Sequence, residues 1–129
     1  MPGNIVIADQ NFADHQLATE LIRQIDPTVR IDRYYDTNAL FKRLFFSRIT
    51  TPPDLVLLEY ELPPDGAPEF FRRLDEAGIT ASIKVAIWGN ETVARYEELC
   101  TRWEVEGCFS KKDNSSALLK ALRDIVSQV

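Results

Sequence analysis

The segment Asp54-Leu55-Val56-Leu57-Leu58-Glu59-Tyr60-Glu61-Leu62-Pro63-Pro64-Asp65-Gly66 decides the fold of this chain. Its unbroken apolar run predicts a strand buried on both faces, as strands of parallel sheets are. The run ends at Glu59, and a turn rich in proline and glycine follows. Because open parallel sheets place their sites at the carboxyl ends of strands, Glu59 is the first candidate for a functional side chain.

Strands and helices are predicted to alternate along the rest of the chain. Short apolar runs predict further strands at residues 4–8, 84–88 and 107–110. Residues 29–34 alternate apolar with charged side chains, which predicts an edge or near-edge strand. Apolar residues at helical spacing predict five helices. The first ends before Asp26-Pro27, the second begins at Asp36 or Thr37, and the third covers 67–77. The fourth covers 93–103, and the fifth begins near Asn114. This alternation predicts a doubly wound α/β fold with a five-stranded parallel sheet, filling residues 1–129 as a single domain.

Length and composition exclude several classes of protein. The 129 residues suffice for one full hydrophobic core, and a net charge of −5 argues against a nucleic-acid-binding surface. No apolar run reaches the roughly 18 residues of a membrane span, and the N-terminus lacks a secretory signal pattern. Cys100 and Cys108 have no metal-binding or CxxC spacing, so we expect reduced, structural thiols and a cytoplasmic protein.

Three strand ends carry polar residues followed by characteristic turns. Asp9 follows an Ile-Val-Ile-Ala run, Glu61 precedes Leu-Pro-Pro-Asp-Gly, and Ser110-Lys111 ends the fifth strand. Together these features resemble those of a response-regulator receiver domain. The resemblance covers the whole chain and implies a flavodoxin-like (βα)5 fold with strand order 2-1-3-4-5. In that family a histidine kinase phosphorylates an aspartate at the end of the third strand, and acids after the first strand hold Mg²⁺.

The family's chemistry carries over only in part. Asp9 matches one acid of the Mg²⁺-binding pair, while Gln10 stands where the second acid belongs. Glu59 stands at the phosphorylated position, and Lys111 matches the lysine that contacts the phosphoryl group. The chain therefore resembles a degenerate receiver, or pseudo-receiver.

The positions that switch conformation in the family also differ. Gly89 occupies the place of the serine or threonine after the fourth strand, so it offers no hydroxyl. Cys108 stands three residues before Lys111, where the family carries its switching aromatic, and Lys112 replaces the usual proline.

Glutamate at position 59 disfavours phosphorylation and metal binding of the usual kind. Its carboxylate reaches about 1.5 Å further than that of aspartate, a displacement that severely impairs transfer. Asp9, Glu59 and the Glu61 carbonyl offer a weak Mg²⁺ site at most, since Gln10 supplies a neutral oxygen; no other cofactor is expected. Glu59 is instead predicted to reach the Lys111 ammonium. That pair either imitates part of the phosphorylated state or is a structural pair left after loss of activity.

The predicted function is that of an atypical receiver domain in two-component signal transduction, which binds a histidine kinase or a downstream component and is not an enzyme. The alternative is a receiver that is still phosphorylated through weakened, Mg²⁺-dependent transfer. A flavin binder is disfavoured because residues 9–14 contain no glycine and two acids. A haloacid-type phosphatase is disfavoured because Asp9-Gln10-Asn11 lacks the required second acid or threonine.

Two surfaces are candidates for protein partners. Family members commonly pair through the fourth helix, fifth strand and fifth helix, and a homodimer face here would carry Arg95, Glu98, Arg102, Glu106, Lys112 and Asp113. The second helix is the other candidate, because its apolar residues between 40 and 46 span more than one face. At least one aromatic is expected at the surface there, unless neighbouring loops cover it.

Three other side chains have simpler expectations. Asp9 is an alternative cap for the first helix, a role shared with Gln10 and Asn11. His15 has no second His or Cys at ligand spacing and is expected to be exposed or hydrogen-bonded. Trp88 is expected beside the acid site.

Overall fold

One parallel sheet of five strands forms the centre of the molecule. The computed structural model describes residues 3–46, 52–80 and 83–127. The strands are β1 (Asn4–Ala8), β2 (Arg30–Tyr34), β3 (Leu55–Glu59), β4 (Val85–Gly89) and β5 (Gly107–Ser110). Their order is β2-β1-β3-β4-β5, and every neighbouring pair is parallel. The predicted fold class and the strand order implied by the resemblance are confirmed.

Five α-helices connect the strands. They are α1 (Phe12–Ile25), α2 (Thr37–Phe45), α3 (Gly66–Glu76), α4 (Glu97–Arg102) and α5 (Ser115–Val126). A short 3₁₀ helix, Val93–Tyr96, precedes α4. Among the described residues, no helix combines the length and the apolar character that crossing a bilayer requires.

Polar side chains begin three of the helices by accepting a backbone N–H. Asp36 Oδ1 accepts from Ala39 and Asn114 Oδ1 from Ala117, as predicted for these two caps. The cap of α1 is Asn11, whose Oδ1 accepts from the Asp14 N–H. The alternative role of Asp9 as that cap is wrong, because the Asp9 carboxylate turns into the sheet edge.

The sheet is buried on both faces. All five residues of β3 are buried, as its apolar run predicts. Helices α2, α3 and α4 cover one apolar cluster and α1 and α5 cover the other. The expected edge strand is also confirmed, since β2 lies at one end of the sheet.

The fourth helix differs from its prediction. A single helix over 93–103 was expected, but the chain forms a 3₁₀ helix and then only six residues of α-helix. The break falls at Tyr96, whose φ of −102° and ψ of −7° leave regular helix geometry. The Tyr96 side chain is fully buried at this break.

The aromatic residues of α2 extend from the core to the surface. Leu40 and Leu44 are buried, whereas Phe46 is 53 % exposed, which confirms the expected surface aromatic. The loop that was considered as a cover, residues 47–51, lies outside the described residues.

Candidate functional site

The carboxyl ends of four strands bring the predicted site residues to one edge of the sheet. Glu59 ends β3 in register with Trp88 of β4, and Gly89 ends β4 in register with Ser110 of β5. Asp9 follows β1, and Lys111 follows β5. Parallel pairing therefore places Asp9, Glu59, Gly89 and Lys111 together, as expected for such a sheet.

The Lys111 ammonium lies at the centre of three carboxylates. Its Nζ is 2.6 Å from Asp9 Oδ2, 2.7 Å from Glu59 Oε2 and 2.9 Å from Asp14 Oδ2. The side chains of Lys111, Asp9 and Glu59 are only 8 %, 0 % and 1 % exposed. We call Asp9, Asp14, Glu59 and Lys111 the acid cluster. The predicted reach of Glu59 to Lys111 matches this geometry.

The second oxygen of each buried carboxylate, Glu59 Oε1 and Asp9 Oδ1, also accepts hydrogen bonds. Glu59 Oε1 accepts from the backbone N–H of Gln10 at 3.2 Å and from its side-chain Nε2 at 3.1 Å. Asp9 Oδ1 accepts from the Asn11 N–H at 2.7 Å. The Gln10 amide thus donates to Glu59. The prediction had considered only its oxygen, as a neutral metal ligand.

Burial and ion pairing act in opposite directions on the cluster. Burial raises the pKa of the Asp9 carboxyl to about 6, although the hydrogen bonds from Lys111 and Asn11 oppose the shift. Burial alone would lower the pKa of the Lys111 ammonium, but hydrogen bonds to Asp9, Glu59 and Asp14 raise it well above its usual range. Lys111 is therefore charged at neutral pH.

His15 positions the backbone beside Asp9. The side chain is fully buried, and its Nε2 lies 2.7 Å from the Asp9 carbonyl oxygen and 3.1 Å from that of Tyr34. Two carbonyl acceptors require that Nε2 carries the proton. Burial lowers the pKa of the imidazole, since these hydrogen bonds only partly offset desolvation. His15 is hydrogen-bonded, as one of its two predictions stated, and it ties β1 to β2.

The Lys111 ammonium occupies the position that a divalent cation would need in the acid cluster. Within the described ranges, no group of three or more His, Cys, Asp or Glu side chains is arranged to hold a metal ion. The oxygens that would face a metal already face the Lys111 ammonium. The Glu61 side chain is engaged with the next loop, since its Oε1 accepts from the Asn90 N–H at 3.2 Å, and the role of the Glu61 carbonyl as a ligand stays a prediction.

Tyr96 fills the space above Gly89. A methyl carbon on Gly89 would overlap the Tyr96 hydroxyl oxygen and would lie 2.9 Å from Glu61 Oε1. The hydroxyl accepts from the Glu91 N–H at 2.6 Å and donates to Glu61 Oε2 at 3.3 Å. Burial raises the pKa of this hydroxyl to about 12, so it remains protonated. We call Glu61, Gly89 and Tyr96 the tyrosine latch.

Trp88 lies beside the acid cluster, whereas Cys108 packs against the apolar cluster on one face of the sheet. Lys111 Nζ lies 4.9 Å from the centre of the Trp88 ring, which confirms the expected place of Trp88 beside the site. Cys108 is half-buried next to Cys100, and both thiols are free. Burial, together with a hydrogen bond that the thiol donates to Cys108, raises the pKa of Cys100 to about 12, which disfavours the reactive thiolate.

Sequence reasoning missed Asp14, His15 and Tyr96 as parts of the site. An acid in the first turn of a helix that starts at the site edge was the available signal for Asp14. For Tyr96, the signal was a glycine at the end of a central strand followed seven residues later by an aromatic. Neither signal identifies a contact without the path of the intervening loop.

Known structures of receiver domains are similar to this one. The phosphorylated cyanobacterial phytochrome response regulator RcpA superposes with a TM-score of 0.81 at 18 % identity, over 100 % of this chain and 97 % of that one. The Mn²⁺-bound response regulator Rcp1 superposes with a TM-score of 0.78 at 19 % identity, over 98 % of this chain and 93 % of that one. The signal receiver domain of an HD domain-containing protein from Pseudomonas fluorescens Pf-5 superposes with a TM-score of 0.73 at 16 % identity, over 99 % of this chain and 97 % of that one.

These similarities concern the whole length of the chain. No protein-family model matches the sequence, and no curated protein matches it. At identities below one fifth, the superpositions establish the fold and not the chemistry. The chain therefore has the fold of response-regulator receiver domains.

Proposed function

We propose that this chain is a receiver-like signalling domain that is not phosphorylated at Glu59 and acts through protein–protein contacts. The observation that carries the proposal is the Lys111 ammonium, which already contacts Asp9, Asp14 and Glu59. Phosphoryl transfer to a carboxylate needs cations that are free to neutralise the developing charge. The Lys111 ammonium is already paired with these three carboxylates and is not free to neutralise a phosphoryl group.

The tyrosine latch supports the same proposal. A hydroxyl from position 89 is unavailable, and the Tyr96 hydroxyl that occupies its space is held by Glu61 and by the Glu91 N–H. The loop after β4 therefore has a fixed arrangement without any added group. A domain held in one conformation transmits information by being bound, not by being modified.

The partner under this proposal is a histidine kinase or a downstream protein of a signalling pathway. The face of α4, β5 and α5 is the proposed homodimer surface, and its exposed charges include Lys112 and Asp113. Ion pairs at such a face set register more than affinity. We propose no direct contact with nucleic acid, which the net charge of −5 disfavours, and none with membranes.

Exposure to acetyl phosphate and Mg²⁺, followed by intact-protein mass spectrometry, tests the proposal. The wild type should gain no phosphoryl group, and neither should Glu59→Gln, which is the matched control. A stoichiometric phosphoryl adduct on the wild type that Glu59→Gln lacks would establish the alternative, a receiver with weakened Mg²⁺-dependent transfer.

A further inference from the structure

A pocket of about 480 Å³ lies beside the last turns of α2, and none of the acid-cluster residues lines it. The Phe45 and Phe46 side chains are 37 % and 53 % exposed, although they are large and apolar. Exposed aromatic rings at a pocket of this size are typical of a surface that binds another molecule. We call the pocket the phenylalanine pocket, and the described residues that line it are Asn38, Phe41, Lys42, Phe45, Phe46 and Arg73.

Ring packing shapes the phenylalanine pocket. The Phe45 ring stacks on Phe41 with centroids 5.9 Å apart and contacts Phe46 edge-on with centroids 5.6 Å apart. The Arg73 guanidinium lies 4.5 Å from the centre of the Phe41 ring and donates to Asn38 Oδ1 at 3.0 Å. Because α2 and α3 hold these side chains against one another, the pocket exists before anything binds, which lowers the ordering cost of binding.

The charge of the phenylalanine pocket is positive. Arg73 is balanced by its ion pair with Asp65, whereas Lys42 is exposed and makes no ion pair with any described residue. No carboxylate is among the described lining residues, and the segment that follows in sequence, residues 47–51, contains an arginine and no acid. One uncompensated ammonium beside aromatic rings favours an occupant that carries a carboxylate.

A second groove, of about 500 Å³ between α3 and α4, differs in charge. Its charged lining residues are Asp65, Glu69, Arg72, Arg95, Glu98 and Arg102. Because its carboxylates and arginines are equal in number, this groove favours neither an acidic nor a basic occupant. The phenylalanine pocket therefore has the more selective surface.

Charge also argues against two other occupants of the phenylalanine pocket. A symmetric contact with a second copy places the same patch on both sides, so each Lys42 would meet a pocket that offers no carboxylate. An anionic membrane surface would repel a chain whose net charge is −5. A segment of a partner protein fits both the rings and the ammonium.

We propose that the phenylalanine pocket docks a segment of a partner protein in which one aspartate or glutamate lies close to a large apolar side chain. The apolar side chain packs against Phe45 and Phe46, and the carboxylate meets Lys42. The rings supply most of the affinity, and the ion pair supplies the preference for an acidic sequence. The inference rests on the proposed function, since it assigns a surface to the partner of a domain that acts by binding.

Selection of short random peptides displayed on phage, against the whole chain, tests the docking site. Peptides selected on the wild type should share an Asp or Glu near an aromatic residue or leucine, and NMR shift changes caused by a selected peptide should map to the phenylalanine pocket. Lys42→Glu should bind the best selected peptide about fivefold or more weakly, because the reversed charge replaces attraction by repulsion. The matched control Lys120→Glu, on the exposed face of α5, should bind it like the wild type.

A second pair of variants tests the apolar part of the site. Phe46→Ser should bind the same peptide about tenfold more weakly, because it removes a ring that the apolar side chain contacts. Phe12→Ser removes a ring of similar exposure, 57 %, at the start of α1 and should bind the peptide like the wild type. Circular dichroism and thermal unfolding verify that all four variants are folded.

Four binding results would overturn the docking site: no peptide is recovered, the recovered peptides are basic, Lys42→Glu binds as tightly as Lys120→Glu, or Phe46→Ser binds as tightly as Phe12→Ser. Dimerisation that Phe46→Ser abolishes, or binding to phosphatidylserine vesicles that Lys42→Glu abolishes, would overturn it as well, because the occupant would then be a second copy or a membrane. An adduct on Glu59 would end the proposed function and leave these peptide measurements as they are, so the two failures are distinguishable.

Discussion

At the residue scale, the balance of charge in the acid cluster is the feature with the clearest consequences. Lys111 supplies one positive charge to three carboxylates, and Asp9 is the most deeply buried of the three. The raised pKa of Asp9 records the cost of keeping that carboxylate ionised inside the protein. The cluster thus limits stability at neutral pH while it holds the ammonium in place.

Asp9→Asn should stabilise the protein at neutral pH. The folded pKa of about 6 lies above the unfolded value of 3.8, so the folded state holds an extra proton between these values and loses stability as pH rises through that window. The variant lacks this loss, and its unfolding free energy at pH 7 should exceed that of the wild type by about 1–3 kcal/mol. Urea unfolding of both proteins at pH 4 and pH 7 measures their unfolding free energies and how these change with pH. Equal pH dependence in the two proteins would contradict a raised pKa at Asp9.

Lys111→Met should convert the cluster into a cation site. The variant keeps the length of the side chain but leaves three carboxylates uncompensated, which should cost about 3–5 kcal/mol of unfolding free energy. Mg²⁺ should then raise the melting temperature of Lys111→Met, because carboxylate oxygens are its preferred ligands. The wild type and the exposed control Lys112→Met should not respond beyond the effect of ionic strength. A Mg²⁺ response of equal size in the wild type would show that Lys111 does not occupy the cation position.

The residues of the acid cluster were predictable to different degrees. Asp9, Glu59 and Lys111 each end or follow an apolar run, so the sequence alone brings them to one sheet edge. Asp14 was not predictable, because its position depends on how α1 leaves the edge after the Asn11 cap. The orientation of the Gln10 amide was not predictable either, because it depends on a hydrogen bond to Glu59 Oε1 that residue spacing does not reveal.

At the scale of elements, the tyrosine latch joins β4, the loop after β3 and the start of α4. Glu61 accepts from both the Asn90 N–H and the Tyr96 hydroxyl, so one carboxylate fixes the loop and the helix together. This contact lies where the 3₁₀ helix is followed by α4. The periodicity of residues 93–103 predicts one helix over the whole stretch, but only Glu97–Arg102 forms α-helix.

Gly89→Ala should destabilise the fold by forcing the latch apart. The added methyl group overlaps the Tyr96 hydroxyl and lies 2.7 Å from Tyr96 Cζ, and overpacking of this kind costs about 1–3 kcal/mol. Gly3→Ala is the matched control, since its methyl group meets its nearest atom at an ordinary 3.7 Å. Chemical denaturation of both variants measures the difference. Equal stability of the two would show that Tyr96 does not depend on the empty space at position 89.

Tyr96→Phe separates the hydroxyl from the ring. In a double-mutant cycle with Gly89→Ala, the two substitutions should be less destabilising together than their sum, because the removed hydroxyl is the atom in closest conflict. Simple additivity in denaturant unfolding would mean that the hydroxyl and position 89 are independent.

At the scale of the whole molecule, alternation of apolar runs determined the fold class. The buried run of β3, the charged pattern of β2 and the stop of α3 at Gly78, whose φ is +72°, were all readable in the sequence. The groove between α3 and α4 was not, because it is formed by the relative placement of two helices that pack on the same sheet face. Arg95 and Arg102, which were assigned to a homodimer face, also line this groove, and the homodimer face stays a prediction.

Titration with beryllofluoride and Mg²⁺, observed by fluorine NMR, tests most directly whether the acid cluster is closed to phosphoryl-like ligands. We predict no bound fluorine signal for the wild type, because Lys111 is held by Asp9, Asp14 and Glu59. A stoichiometric bound signal in slow exchange, lost in Glu59→Gln, would show that Glu59 and Lys111 separate to admit the ligand and would contradict a domain that signals by binding alone.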